Sequence, residues 1–125
     1  MHQSIKNLNN IQNSIKANQE KTNNKNNIKI IAVSKTFKIN HINPLIKHGH
    51  KDFGENKVQE AVEKWTDIKS KNNNLSLHLI GKLQSNKTKL ALKIFDYIHS
   101  LDNEKLANKI SEEQKKIKKK PKLFI

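Results

Sequence analysis

The chain has no cysteine, no arginine and only three glycines in 125 residues, and each shortage removes a class of function. Without cysteine there is no disulfide framework and no thiolate metal site, a composition compatible with a reducing cytoplasm. Without arginine, the planar fork best suited to phosphate and base-edge recognition is missing, although the net charge is +14. Every basic residue is a lysine, and the few aromatic side chains are not interleaved with them as base stacking requires. The excess of asparagine, lysine and isoleucine is what an AT-rich codon usage produces. Specific nucleic-acid binding is therefore a lesser reading. Gly49, Gly54 and Gly81 cannot form a glycine-rich phosphate cradle. No apolar run approaches the ~20 residues needed to span a bilayer, and Met1-His2-Gln3-Ser4-Ile5-Lys6 has no apolar core of signal-peptide type. A cytoplasmic protein without membrane contact is expected.

Familiar catalytic patterns are also lacking. His41, His48, His50 and His99 show no metal-ligand spacing on one element, and there is no His-Glu-x-x-His. No Gly-x-Ser-x-Gly elbow offers a serine nucleophile.

What is present is an alternation of short apolar runs and amphipathic stretches. Ile5, Leu8, Ile11 and Ile15 recur every three or four residues and predict an amino-terminal helix over 1–20, followed by a polar loop over 18–27. A strand is predicted over 28–34. Asn40 is placed to cap the next helix, with Pro44 in its first turn and Gly49 as a left-handed stop. A second strand over 51–53 leads into Gly54. The helix after it buries Val58, Ala61, Val62, Trp65 and Ile68, with Glu60 and Lys64 paired outside.

A third strand is predicted over 75–80, a helix over 85–94 and a fourth strand over 95–99. Asp102 then caps a further helix, and Leu123-Phe124-Ile125 reads as a fifth strand beginning. Helix-bearing connections imply parallel strands, in one domain over 1–125 whose β/α units occupy 28–125. An open doubly wound sheet and a closed barrel both fit this pattern.

The run Ile28-Lys29-Ile30-Ile31-Ala32-Val33-Ser34-Lys35 ends an apolar strand in a primary amine. Active sites of parallel α/β folds lie at the carboxyl ends of the strands. An amine flanked there by apolar walls is expected to be partly desolvated, which favours its neutral, nucleophilic form. A neutral amine attacks an aldehyde, so the chemistry indicated is a Schiff base, against the ordinary alternative of a solvated strand-end lysine.

Two further stretches follow in order at strand-to-helix junctions: Phe53-Gly54-Glu55-Asn56-Lys57-Val58-Gln59-Glu60 and His78-Leu79-Ile80-Gly81-Lys82-Leu83-Gln84-Ser85-Asn86-Lys87. With Ala32-Val33-Ser34-Lys35-Thr36 they closely resemble the pyridoxal phosphate homeostasis family. The resemblance implies an α/β fold of (β/α)₈ TIM-barrel type, similar to the barrel of alanine racemase. This chain then supplies the first four β/α units and the start of the fifth strand. It further implies that Lys35 carries pyridoxal 5′-phosphate (PLP) as an internal aldimine, and that the cofactor phosphate is held by loops late in the barrel. Asn56 faces the cofactor on this resemblance; as a residue read alone it is equally a helix N-cap.

His78 alternates with Leu77 and Leu79, so it points into the barrel if those leucines face the helices. It is then either a cofactor contact or a core histidine satisfied by its neighbours. Ser85 is an N-cap candidate, and Ser100 is a further residue at the mouth. The function implied is intracellular PLP homeostasis without turnover, with PLP-dependent apoenzymes as recipients and a monomeric full-length barrel. The rival is a racemase-type PLP enzyme acting on amino acids. Such an enzyme needs acid–base groups on both faces of the cofactor, and Tyr97, the sole tyrosine, is expected inside the fourth strand.

Overall fold

The computed structural model describes residues 2–35, 37–99, 101–117 and 121–123. They group into two compact units, one of 1–30 with 37–50 and one of 31–36 with 51–125.

The first unit holds two helices. Helix α1 (Gln3–Thr22) starts at His2, whose ring accepts the Ser4 N–H at 3.1 Å, and closes at Asn23 in the left-handed region with φ 55°. It therefore runs two residues past the predicted end at residue 20, into the stretch predicted as loop. Extending a helix already nucleated requires no apolar stripe, and Gln19, Glu20 and Lys21 are good helix formers. Only Leu8 of its stripe is buried, and Ile11 is 49% exposed.

Helix α2 (Ile39–Lys47) is capped by Lys38 rather than Asn40, with no side-chain bond. Starting there places Pro44 inside the helix rather than in its first turn, where it withholds one N–H from the ladder. Gly49 has φ +100° and stops the helix as predicted. Its N–H donates to Ile46 and the His50 N–H to Leu45, the paired bonds of a Schellman end.

The second unit is a β/α layer of β1 (Ala32–Val33), β2 (Asp52–Glu55), α3 (Val58–Lys71), β3 (Ser76–Leu79), α4 (Thr88–Ile94), β4 (Tyr97–Ile98), α5 (Glu104–Ile117) and β5 (Lys122–Leu123). A 3₁₀ turn, Ser85–Lys87, precedes α4. All four strand pairings are parallel, and the sheet order is β1-β2-β3-β4-β5. This order decides between the two architectures left open by the sequence. A doubly wound sheet reverses direction at a switch point, whereas strict sequential order has none. Right-handed crossovers then place successive helices on the same face, which is the winding of a barrel wall.

The strands are shorter than predicted or displaced. Ladder pairing covers only Ala32–Val33 of the expected 28–34, and β2 extends to Glu55, so Gly54 lies within the strand. Helix α5 begins one residue late because Asn103, not Asp102, supplies the cap: its Oδ1 accepts the Leu106 N–H at 2.8 Å. Phe124 and Ile125 lie outside the described residues, as do Thr36 and Ser100.

The two faces of the sheet differ in chemistry. Phe53 packs on Trp65 of α3 with centroids 5.0 Å apart, and its register partner Leu77 is buried with Leu79 and Ile98 on the helix-covered face. The opposite face carries Val33, Gly54, His78, Tyr97 and Lys122 in one row of register partners. A Cβ at Gly54 would come within 3.1 Å of Ile31 Cγ2 and 3.4 Å of Ile80, so the inner face is tightly packed here and a larger residue would press on the Ile31 side chain.

Candidate functional site at the carboxyl ends of the strands

Lys35 follows β1 in a turn, at the carboxyl edge of the sheet where the sequence places it. It is exposed, which corrects the expectation of a desolvated amine between apolar walls. The peptide unit before it is held by side-chain hydrogen bonds. Lys64 of α3 donates from Nζ to the Ser34 carbonyl oxygen at 2.8 Å and to Glu55 Oε1 at 3.1 Å. The Ser34 hydroxyl donates to Glu55 Oε2, and the Glu55 side chain is fully buried. A buried carboxylate is tolerable only when charge and lone pairs are both met. Here one lysine and one hydroxyl meet them, and Lys64 is also paired to Glu60 at 3.2 Å. The Glu60–Lys64 pair predicted outside is thus part of a partly buried cluster under the end of β1.

Asn56 follows β2 directly, and helix α3 is capped one residue later at Lys57, without a side-chain bond. The capping reading for Asn56 therefore lapses. Gly81, two residues past β3, lies so close that a Cβ there would sit 2.5 Å from the Asn56 carbonyl oxygen and 2.8 Å from its Cβ. Only glycine fits, and it braces Asn56 from the neighbouring loop. Ser85 is not a cap: the cap position of the 3₁₀ turn is Gln84.

His78 lies on the inner face, as the alternation with Leu77 and Leu79 predicts, and is 2% exposed. Its Nε2 is 2.9 Å from Asp52 Oδ1, its Nδ1 is 3.0 Å from His99 Nε2, and its ring stacks on Tyr97 at 4.2 Å. With both nitrogens engaged, its geometry is that of a satisfied core histidine. Burial first, and then the positive charge available to His78, hold His99 below the ordinary imidazole pKa.

The ladder bonds continue in register past the strand ends, with Ser34 N–H to Gly54, Ile80 N–H to Glu55 and His99 N–H to Leu79. Carrying the register two residues beyond the row of Val33, Gly54, His78 and Tyr97 gives Lys35, Asn56, Ile80 and His99 as the mouth layer. Of the residues predicted for the site, Lys35 and Asn56 share this layer, while His78 lies one layer deeper. In the sequence His99 stands out only among the histidines tested for metal-ligand spacing. The signal that finds it is parity, since it stands two residues beyond Tyr97 at the end of the fourth strand. Among the described residues no cluster of three histidine or acidic groups is placed to hold a metal ion, and no helix is long and apolar enough to cross a membrane.

A singly wound parallel layer with a lysine and an asparagine at adjacent strand mouths defines part of a barrel-type α/β protein. No protein-family model matches the chain. Individual proteins do. It is 45% identical over 109 residues to the pyridoxal phosphate homeostasis protein of Haemophilus influenzae, covering 86% of this chain and 46% of that protein. The protein of the same name from Buchnera aphidicola is 49% identical over 80 residues, covering 64% of this chain and 34% of its own length. Among solved structures, PipY of Synechococcus elongatus with PLP bound superposes with a TM-score of 0.72 at 40% identity, over 77% of this chain and 45% of PipY. The chain is thus a relative of the pyridoxal phosphate homeostasis proteins, as its three motifs indicate, and spans less than half the length of these curated relatives.

Proposed function

We propose that this chain contributes the lysine-bearing part of a PLP-binding homeostasis protein, with the cofactor held as a Schiff base on Lys35. The observation that carries this reading is the position of Lys35 beside Asn56 in the mouth layer, in a chain 40% identical to a solved protein with PLP bound. The residues present fit the group in part. Lys35 supplies a solvent-reachable primary amine on a braced peptide, and Asn56 supplies an amide able to bond a ring substituent. When bound, the cofactor supplies an aldehyde and an electron-withdrawing ring. His78 serves through its bond to His99 rather than by direct contact. The phosphate is left to the part of a full-length relative that this chain does not match.

The role is storage and delivery to PLP-dependent apoenzymes in the cytoplasm, without turnover, and the full-length barrel is a monomer. The relatives are named for homeostasis rather than for a reaction. The racemase-type reading predicts something different and is separated by one measurement. With PLP supplied, alanine α-proton exchange into deuterated water stays at the rate of free PLP if the protein is a carrier. Exchange well above that rate, and lost in Lys35→Ala, contradicts the carrier role. Binding itself is tested by a near-visible absorbance band on adding PLP that Lys35→Ala abolishes. A band that persists in the variant contradicts the assignment.

A further inference from the structure

We infer that Asp52, His78 and His99 form a proton relay that presents His99 as the acid–base group of the mouth layer. The inference rests on the proposed attachment of an aldehyde at Lys35. The relay climbs one layer per residue across three neighbouring strands, from Asp52 at the start of β2, through buried His78 on β3, to His99 just past β4. Tyr97 stacks on His78, and Nζ of Lys122 on β5 is 5.4 Å from the Tyr97 ring centroid.

Hydrogen counting fixes the tautomers. Asp52 as a carboxylate only accepts, so His78 Nε2 must carry a proton. Neutral His78 then has a bare Nδ1, which must accept from His99 Nε2–H across 3.0 Å. His99 is left with a lone pair on Nδ1, and whatever that nitrogen meets, it meets as an acceptor. A third proton shared by the pair is accommodated with every hydrogen bond kept, and the Asp52 carboxylate balances its charge. A fourth sets two N–H groups against each other. The pair therefore takes up and gives back one proton, and that proton enters and leaves at His99.

Schiff-base formation needs such a group. The Lys35 amine adds to the carbonyl carbon, a C–N bond forms as the carbonyl π bond opens, and one proton passes from nitrogen to oxygen. The hydroxyl so formed must gain a second proton to leave as water, breaking the remaining C–O bond while the C=N bond forms. The nitrogen then gives up its second proton, so the proton borrowed from the acid–base group is returned and nothing is oxidised or reduced. In the reverse direction the same group activates water for release of the cofactor, which a carrier requires. Three interstrand steps of about 4.8 Å separate the backbones of Lys35 and His99, roughly 14 Å. Asp52 and His78 act as positioning residues.

The test uses the 125-residue chain with two readouts. Nitrogen-15 spectra of the imidazoles, without added PLP, report tautomers. His99 is expected as the Nε2–H form, and Asp52→Asn is expected to shift that tautomer balance and displace the acid limb of the pH profile. Stopped-flow absorbance with PLP then reports the rate of imine formation, expected to fall at least tenfold in His99→Gln with the attachment still on Lys35. An Nδ1–H His99, or an unchanged rate in His99→Gln, overturns the relay and leaves PLP binding standing. Absence of imine on Lys35 in the parent chain overturns the binding reading and the proton-transfer role together. The spectra then decide the relay geometry alone, an Nδ1–H His99 rejecting it.

Discussion

Lys64 Nζ donates to the carbonyl oxygen of Ser34 at 2.8 Å, so a helix side chain holds the peptide unit that leads into Lys35. The same ammonium neutralises Glu55, whose side chain is fully buried beneath the strand end. Removing one partner of such a pair strands the other charge in a dry environment, at a cost of about 3–5 kcal/mol. Lys64→Met is accordingly expected to lower the urea midpoint sharply or abolish the cooperative transition. Adding Glu55→Gln to Lys64→Met should recover part of the loss, because the stranded charge is gone. A Lys64→Met midpoint equal to that of the parent would show that the cluster does not hold the strand end.

Gly81 offers a second structural test. A methyl group there meets the Asn56 backbone at 2.5 Å, and backbone cannot swing aside as a flexible side chain does. Gly81→Ala should therefore cost about 1–3 kcal/mol, the range for overpacking, and shift the amide resonance of Asn56. By contrast, Gly49→Ala meets open space and is opposed only by its φ of +100°. The Asn56 resonance should stay in place in that variant.

The pH dependence follows from His99, whose pKa is lowered in the folded chain by burial and by His78. Between the lowered value and the ordinary value of 6.5, the unfolded chain binds more protons than the folded one. Stability then rises with pH across that window, is fully present above 6.5, and is lost as pH falls through the folded pKa. Urea unfolding at a series of pH values from 7.5 down to 5 should show this decline, and His99→Gln should flatten it. A decline of the same slope in the variant would assign it to other groups.

Association is the fourth expectation. Among the described residues β1 and β5 are the terminal strands of the sheet, and Val33 on the inner face is 47% exposed. Open edges beside exposed apolar side chains favour pairing with a second copy. Light scattering of the 125-residue chain should give a mass above the 14.5 kDa monomer, rising with concentration. A monodisperse monomer with a sharp unfolding transition would contradict this view of the sheet.

Much of this arrangement is legible in the sequence, and the misses have local causes. Phe53, Leu77 and Leu79 alternate with Gly54 and His78, so the covered and inner faces can be assigned by counting twos. The order of strands cannot, because hydrophobic pattern is the same for sequential and doubly wound sheets. Lys35 and Asn56 are found at strand ends because their motifs mark the junctions. The pairing of Glu55 with Lys64 crosses from strand to helix nine residues apart, and no periodic pattern reports such a contact. His99 is hidden in the sequence for a related reason. Its importance lies in the chain from Asp52 through His78, three residues drawn from three strands, which only the register brings together.

The most direct test of the central claim is the site of covalent capture. The 125-residue chain is incubated with PLP, reduced with borohydride, digested, and the label mapped by mass spectrometry. With 25 lysines available, unspecific reaction spreads the label broadly. The account predicts strong enrichment at Lys35, lost in Lys35→Ala without transfer to a neighbour. Label distributed evenly over the lysines, or concentrated on Lys38 or Lys87, would contradict it.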